Sequence, residues 1–393
     1  MSSALIVLVL ALLLGLQPIT TDVYLPALPD LTRELGASMA QGQLTLTALL
    51  LTFGISQLIW GPLSDRFGRR PVLLAGMAAY VLASLGSALA TSIDLLIVWR
   101  MVQGAAMGAA VMCARAIVRD LYAPAQGANV MSKALSGLGV IACLSAPIGG
   151  VLTAVFGWHA ALLAVSGFGT LCLALIALRF RETHHRRNPQ ALKTAHLART
   201  WWLIVRNPTF LAFSALTITS YCALVTFLVT SSFVFLQVLE FSPTQYGWVM
   251  LTNAFVYLAG TFLCRRLLPR FGVRRSVAIA GALSLTGGCS MGLLALAGVH
   301  TAWAVIVPIS FLMLAHGIHN PCAQSGAVGP FPHAAGAASA LNGFLAMSSA
   351  FATGQWLGAH MDGTAMPLIV GMGVWSVLIA LTAWTVVARY GKT

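Results

Sequence analysis

Two charged residues stand where hydrocarbon would surround them. Asp22 closely follows the apolar run ALIVLVLALLLGL of residues 4–16, and Arg100 stands within the run IDLLIVWRMVQGAAMGAAVMC of residues 93–113. An ionisable side chain inside a membrane span is costly and marks function by default. Asp22 lies seven residues before Pro29, and Arg100 six residues after Asp94. At the helical rise, both sit roughly 9–10 Å inside their spans. One carboxylate and one guanidinium at a common depth are natural partners. Desolvation disfavours an ionised carboxylate and a neighbouring cation favours it, so an acid between the two influences can exchange a proton. That is the chemistry of proton coupling; a permanent structural ion pair is the alternative. No other carboxylate lies well inside an apolar stretch.

A second group of charges is crowded into a short loop. In GPLSDRFGRR, residues 61–70, Asp65 is set among Arg66, Arg69 and Arg70. Gly61 removes a side chain where another helix could press close, and Gly68 lies in the same loop. Arg119 and Asp120, in ARAIVRDLY, are near enough in the span order to complete a charge network. The plainer reading is that these arginines only fix membrane topology. A third element, GVIACLSAPIGG at 139–150, supplies Gly139, Gly149 and Gly150 for close helix contact. Its Pro147 loosens the hydrogen-bond ladder.

The remaining polar and aromatic candidates fall inside apolar stretches. Tyr24, Gln57, Gln103 and Met107 belong to the first half of the chain, and Tyr221, Phe227, Asn253 and Tyr257 to the second. HGIHN adds His316, His319 and Asn320. An apolar cavity with a few polar groups suits varied amphiphilic ligands. The competing reading is ordinary packing or contact with lipid. The spacing of the two histidines puts them near one helix face, which also permits a second titrating site. The seven cysteines form no CxxC and no Cys/His metal spacing, and read as small packing residues. No metal site, cofactor site, nucleophile–base set or phosphate-binding glycine loop is visible, so an enzyme is not expected.

These residues need a scaffold, and composition names it. Of 393 residues 59% are hydrophobic and only 8% charged; soluble domains carry roughly a quarter charged. Twelve apolar stretches, from 4–29 to 365–388, each suffice to cross a bilayer as a helix. The first lacks the features of a cleavable signal and is expected to be a permanent span. Of the 22 Lys and Arg residues, all but Arg33, Arg100 and Arg115 fall at alternate ends of the spans. The net charge of +13 therefore reads as positive-inside topology, not as nucleic-acid binding. Both termini are expected in the cytoplasm. Domain limits follow: a six-helix bundle over 1–180, a basic linker over 181–207 with an amphipathic surface segment, and a second bundle over 208–393. LSDRFGRRPVLLAG (63–76) is echoed by LPRFGVRRSVAIAG (268–281), which points to duplication of a six-span unit. The second copy has Pro269 where the first has its acid.

GPLSDRFGRR after the second span, RMVQGAAMGAA in the fourth and GVIACLSAPIGG in the fifth resemble the signatures of the major facilitator superfamily. TTDVYLPALP with ARAIVRDLY is similar to its drug–proton antiporter branch, the bicyclomycin and chloramphenicol resistance type. The resemblance covers essentially the whole chain. It implies twelve helices in two pseudo-symmetric bundles in a bacterial inner membrane. It implies that the first and fourth helices face one cavity, and that the Asp65 loop latches the bundles when the protein faces outward. It also implies that the Gly/Pro helix seals the path and that the chain acts as a monomer. The expected activity is efflux of a drug-like substrate against protons. A proton-coupled uptake symporter or a metabolite exporter is the alternative, and a non-transporting receptor or scaffold a more distant one.

Overall fold

The computed structural model describes residues 2–122, 124–184, 194–299 and 301–391, and among them no strand occurs. The chain divides into two compact units, Met1–Arg199 and Thr200–Thr393. The first unit begins with α1 (Ser3–Asp22), a 3₁₀ turn at Leu25–Ala27 and α2 (Leu28–Glu34). It continues with α3 (Met39–Phe67), α4 (Arg69–Ala88), α5 (Ile93–Leu121), α6 (Pro124–Phe156) and α7 (Trp158–Arg179). A short helix, α8 (Thr194–Val205), crosses the division. Much of the expected linker, residues 185–193, lies outside the described residues.

The second unit contains α9 (Pro208–Phe233), α10 (Pro243–Leu296), α11 (Trp303–Val328), α12 (Ala335–Ala359), α13 (Met366–Leu381) and a last turn, α14 (Ala388–Tyr390). Ten helical stretches are long and apolar enough to span a membrane. One of them, α10, is two spans joined at Gly272, whose φ of 69° breaks the helix. Gly, Ser, Thr and Asn lower the hydropathy of α12, so it is not among the ten. With the arms of α10 counted separately and α12 added, there are twelve long helices, six to a unit. The expected all-α fold class is the one observed.

The first span departs from expectation. A continuous helix over 4–29 is replaced by a break immediately after Asp22. The cause is local: the nitrogens of Pro26 and Pro29 cannot donate to the carbonyls of Asp22 and Leu25.

The internal repeat is visible in the backbone. Gly68 has φ 105° and Gly272 φ 69°, each directly after a Phe. Residues with a Cβ are strained there, which explains why both copies keep the glycine. Helix pairing repeats as well. In the first unit α5 packs on α3 and α4, α6 on α1, and α7 on α4. In the second, α11 packs on α10, α12 on α9, and α13 on α10.

Candidate functional site

The buried centre of the first unit is built around Arg100. Its side chain is 0% exposed, although it carries a full charge. It donates from Nη2 to the Thr20 carbonyl at 3.1 Å and from Nη1 to Gln103 Oε1 at 2.7 Å. Its guanidinium carbon sits 4.3 Å from the centre of the Tyr24 ring. Gln103 Nε2 then donates to Ser84 Oγ at 2.7 Å. The Tyr24 hydroxyl meets Thr45 Oγ1 at 2.6 Å, and the Tyr80 hydroxyl meets Thr20 Oγ1 at 2.6 Å. Four helices, α1, α3, α4 and α5, thus converge on one cation.

The expected ion pair between Asp22 and Arg100 is not formed. Among the described residues, Arg100 meets only neutral partners, and the half-buried Asp22 carboxylate accepts from Thr21 Oγ1 at 2.7 Å. The ending of α1 explains this. Its last carbonyls run out of helical donors, and the helix dipole leaves partial negative charge there. The Thr20 carbonyl takes the guanidinium, and Asp22, two residues on, points to a different side of the helix. Tyr24 and Gln103, expected to line a substrate cavity, are engaged with Arg100 instead. Gln57 and Met107 are also buried.

The Gly/Pro element of α6 packs on this same break. A Cβ at Gly149 would collide with the backbone of Val23, one at Gly137 with Ala11, and Ile141 fills the space over Gly15. Gly139 and Gly150 are buried and Pro147 is half-buried. The small residues therefore fix α6 against the helix that carries Asp22.

The loop between α3 and α4 holds its charges within the unit. Arg69 is 0% exposed. It reaches Asp65 Oδ1 at 2.7 Å, Asp120 Oδ2 at 2.8 Å and Ser64 Oγ at 2.6 Å. Arg119 lies 3.7 Å from Asp65, while Arg66 is exposed, its guanidinium carbon 5.4 Å from the Phe67 ring centre. Arg70 donates to the carbonyls of Phe180 and Ala177. The sequence reading missed Glu182. Its carboxylate accepts the backbone N–H groups of Arg69 at 2.9 Å, Arg70 at 3.1 Å, Thr183 at 2.9 Å and His184 at 2.9 Å. Gly68 precedes α4 and has no side chain with which to cap it, so Glu182 caps it from across the loop. Burial works against the Glu182 charge, but donation from His184, Arg69, Arg70 and Thr183 outweighs it and holds the carboxyl below the usual range. The available signal was a lone acid in the basic stretch 181–206.

The second unit has a neutral polar cluster. His316 Nδ1 meets Ser220 Oγ at 2.7 Å, and its ring centre lies 5.6 Å from that of Tyr257. Asn320 Nδ2 donates to the Tyr257 hydroxyl at 3.1 Å, and Gln324 Nε2 donates to Asn320 Oδ1 at 3.2 Å. Three expected residues, Tyr257, His316 and Asn320, are thus brought together, with Ser220 and Gln324 added. Asn253, one helical turn from Tyr257, is 4% exposed, and neither amide atom has a hydrogen-bond partner among the described residues. His319 is 0% exposed. Phe227 is buried and Tyr221 half-buried on α9.

Two repeated six-helix units, an acid–arginine loop after the second helix and isolated charge within the spans define a polytopic membrane transporter. The chain belongs to the Major Facilitator Superfamily, whose family model matches residues 10–355. It is 28% identical over 393 residues to a bicyclomycin resistance protein homolog of Haemophilus influenzae, covering 100% of this chain and 98% of that one. It is 30% identical over 340 residues to multidrug resistance protein D of Escherichia coli, covering 86% of this chain and 85% of the relative. Among solved structures, a D-xylose–proton symporter matches with a TM-score of 0.75 at 18% identity, over 98% of this chain and 99% of that one. That likeness concerns the fold alone.

Proposed function

We propose that this protein exports small amphiphilic, drug-like molecules across a bacterial inner membrane in exchange for protons, by alternating access. The observation that carries the reading is Asp22. It is a half-buried carboxylate at the break after α1, against which the Gly/Pro element of α6 is packed. Similarity to a bicyclomycin resistance homolog and a multidrug resistance protein supports the substrate class. Asp22 takes and gives the proton. Arg100 organises the helices around it. Asp65, with Arg69, Arg119 and Asp120, serves as a conformational latch. The neutral cluster of Tyr257, His316 and Asn320, with Asn253, contacts substrate. In this reading residues 1–180 and 208–393 are the two bundles, and 181–207 links them in the cytoplasm, where both termini also lie. The chain works as a monomer in lipid, with no cofactor and no nucleic acid.

The test is substrate-induced proton release from purified protein in detergent. Wild type releases protons when substrate is added. Asp22→Asn stays folded, by thermal melting, and releases none while still binding substrate. Undiminished release from the folded variant would move the proton to another group. Drug accumulation in efflux-deficient cells separates export from uptake: lower accumulation that a protonophore abolishes supports antiport, and higher accumulation supports symport.

A further inference from the structure

The two units treat their basic loops differently. In the first, Arg69 of the α3–α4 loop is paired with Asp65 and Asp120, and Glu182 accepts backbone N–H groups of Arg69 and Arg70. In the second, the loop between the arms of α10 carries Arg265, Arg266, Arg270, Arg274 and Arg275, all exposed, and no acid. Among the described residues none of these forms an ion pair. From Thr200 onward the acidic side chains are Glu240 and Asp362, and Arg274 Nε donates to the Gly391 carbonyl at 2.9 Å. Successive helices alternate in direction, so these two acidic side chains fall at the far ends of the spans from this loop. α9 alone has 26 residues between Arg206 and that far end. This is roughly 40 Å, several screening lengths.

The end of α8 completes the surface. Ile204 is 1% exposed and joins the core that includes Cys264 and Val277, with Trp201, Leu267 and Val273 packed against it. The helix is thereby fixed beside the basic loop. On its other face Trp202 is 58% and Leu203 60% exposed. The Arg206 guanidinium lies 4.3 Å from the Trp202 ring centre. An apolar face bordered by arginines at the end of a membrane bundle has the character of an interfacial helix. The tryptophan and leucine enter the acyl boundary, and the cations stay at headgroup level.

We infer that this rim of the second unit, formed by the end of α8 and the loop between the arms of α10, binds anionic phospholipid headgroups. The inference deepens the membrane setting of the proposed transporter but does not depend on drug export. The charge complement is specific: phosphate diesters without a balancing amine satisfy unpaired guanidiniums, whereas zwitterionic lipids bring their own cation.

The experiment uses the full chain, purified in a mild non-ionic detergent and titrated with phosphatidylglycerol or phosphatidylcholine, with bound lipid read by native mass spectrometry. Wild type is expected to retain phosphatidylglycerol preferentially, and the preference should weaken with salt. Replacing Arg206, Arg270 and Arg275 together by Gln should lower phosphatidylglycerol affinity by at least about tenfold, since each surface cation contributes appreciably to anionic-lipid attraction. The corresponding triple Lys variant should keep most of it. Inorganic phosphate at millimolar concentration should compete poorly. Equal retention of the two lipids by wild type overturns the proposal without any variant. So does an unchanged affinity in a folded triple Gln variant. Full displacement by inorganic phosphate would assign the site to a free anion instead. None of these readings involves transport, so failure here leaves the export proposal to be judged by its own assay.

Discussion

Glu182→Gln is the substitution for which the structure gives the clearest magnitude. Glu182 Oε1 accepts three N–H groups, from Arg69, Thr183 and His184, and Oε2 accepts the fourth, from Arg70. A glutamine can keep its amide oxygen on the first three. Its –NH₂ then faces the Arg70 N–H, donor against donor, and the charge that strengthens all four bonds is gone. One lost charge-assisted bond and weakening of the others cost about 1–2 kcal/mol. Glu182→Ala forfeits all four at the start of α4 and should cost about 2–4 kcal/mol, moderated because the site is half-exposed. For units of about 200 residues this corresponds to roughly 2–8 °C of melting temperature for Glu182→Gln. Arg69 keeps Asp65 and Asp120 in both variants, so membrane insertion should be normal.

The pH dependence provides the refutation. The folded Glu182 carboxyl titrates below its unfolded value. Its stabilisation is therefore complete above the unfolded pKa of about 4.3 and is lost as pH falls through the lower folded pKa. Melting of wild type and Glu182→Gln in detergent should differ at pH 7 and converge only as pH falls through the lowered folded pKa. Identical melting at pH 7 would show that the four bonds do not hold the loop. A gap that persists in acid would show that shape, not charge, sets the effect.

Two further substitutions separate scaffold from function. Arg100→Lys keeps the charge but cannot reach Gln103 and Thr20 with the planar geometry that also lies over Tyr24; it should lower stability by about 1–3 kcal/mol, and unchanged melting would remove Arg100 from the organising role. Asn253→Leu discards a buried amide whose two polar atoms have no partner among the described residues, so it should leave melting unchanged or raise it, while altering the relative transport of different drugs. Equal loss for every drug, or a marked fall in melting temperature, would make Asn253 a folding residue.

Much of the fold was legible because it rests on length and composition. Apolar stretches of span length, separated by sorted arginines, dictate twelve helices. The Phe-Gly echo at 67–68 and 271–272 located the repeat, and the positive φ at both glycines gives its physical basis. The charged site was legible in part. Equal depth along two helices brought Asp22 and Arg100 to notice, but depth says nothing about rotation around the axis. The end of α1 at Asp22 decided the partners, offering Arg100 the Thr20 carbonyl in place of a carboxylate. Glu182 was hidden because its partners are backbone N–H groups, which no side-chain pattern displays. Ser220 was hidden because a serine in a membrane helix commonly bonds its own backbone.

The duplicated scaffold has been put to two electrostatic uses. In each unit a polar residue precedes a glycine at a close helix contact: Gln103 before Gly104, which rests on Leu49, and His316 before Gly317, which rests on Tyr257. In the first unit Gln103 supports a buried cation; the residue three positions before His316 is Met313, and the second unit has none there. The charges proposed to govern conformation, Asp22, Arg100 and the Asp65–Arg69–Asp120 set, are therefore concentrated in one half. The other half keeps neutral hydrogen-bonding groups on the same framework. A neutral wall can exchange one amphiphile for another without leaving a buried ion unpaired, which is a far smaller penalty than stripping a partner from a charge. In the proposed cycle, separating the charged machinery from the neutral cluster lets substrate range change while the half assigned to proton exchange stays the same. Arg100 belongs to the fixed part of that arrangement: it is bound by a carbonyl, an amide and a ring, none of which gains or loses a proton in the transport cycle proposed for Asp22.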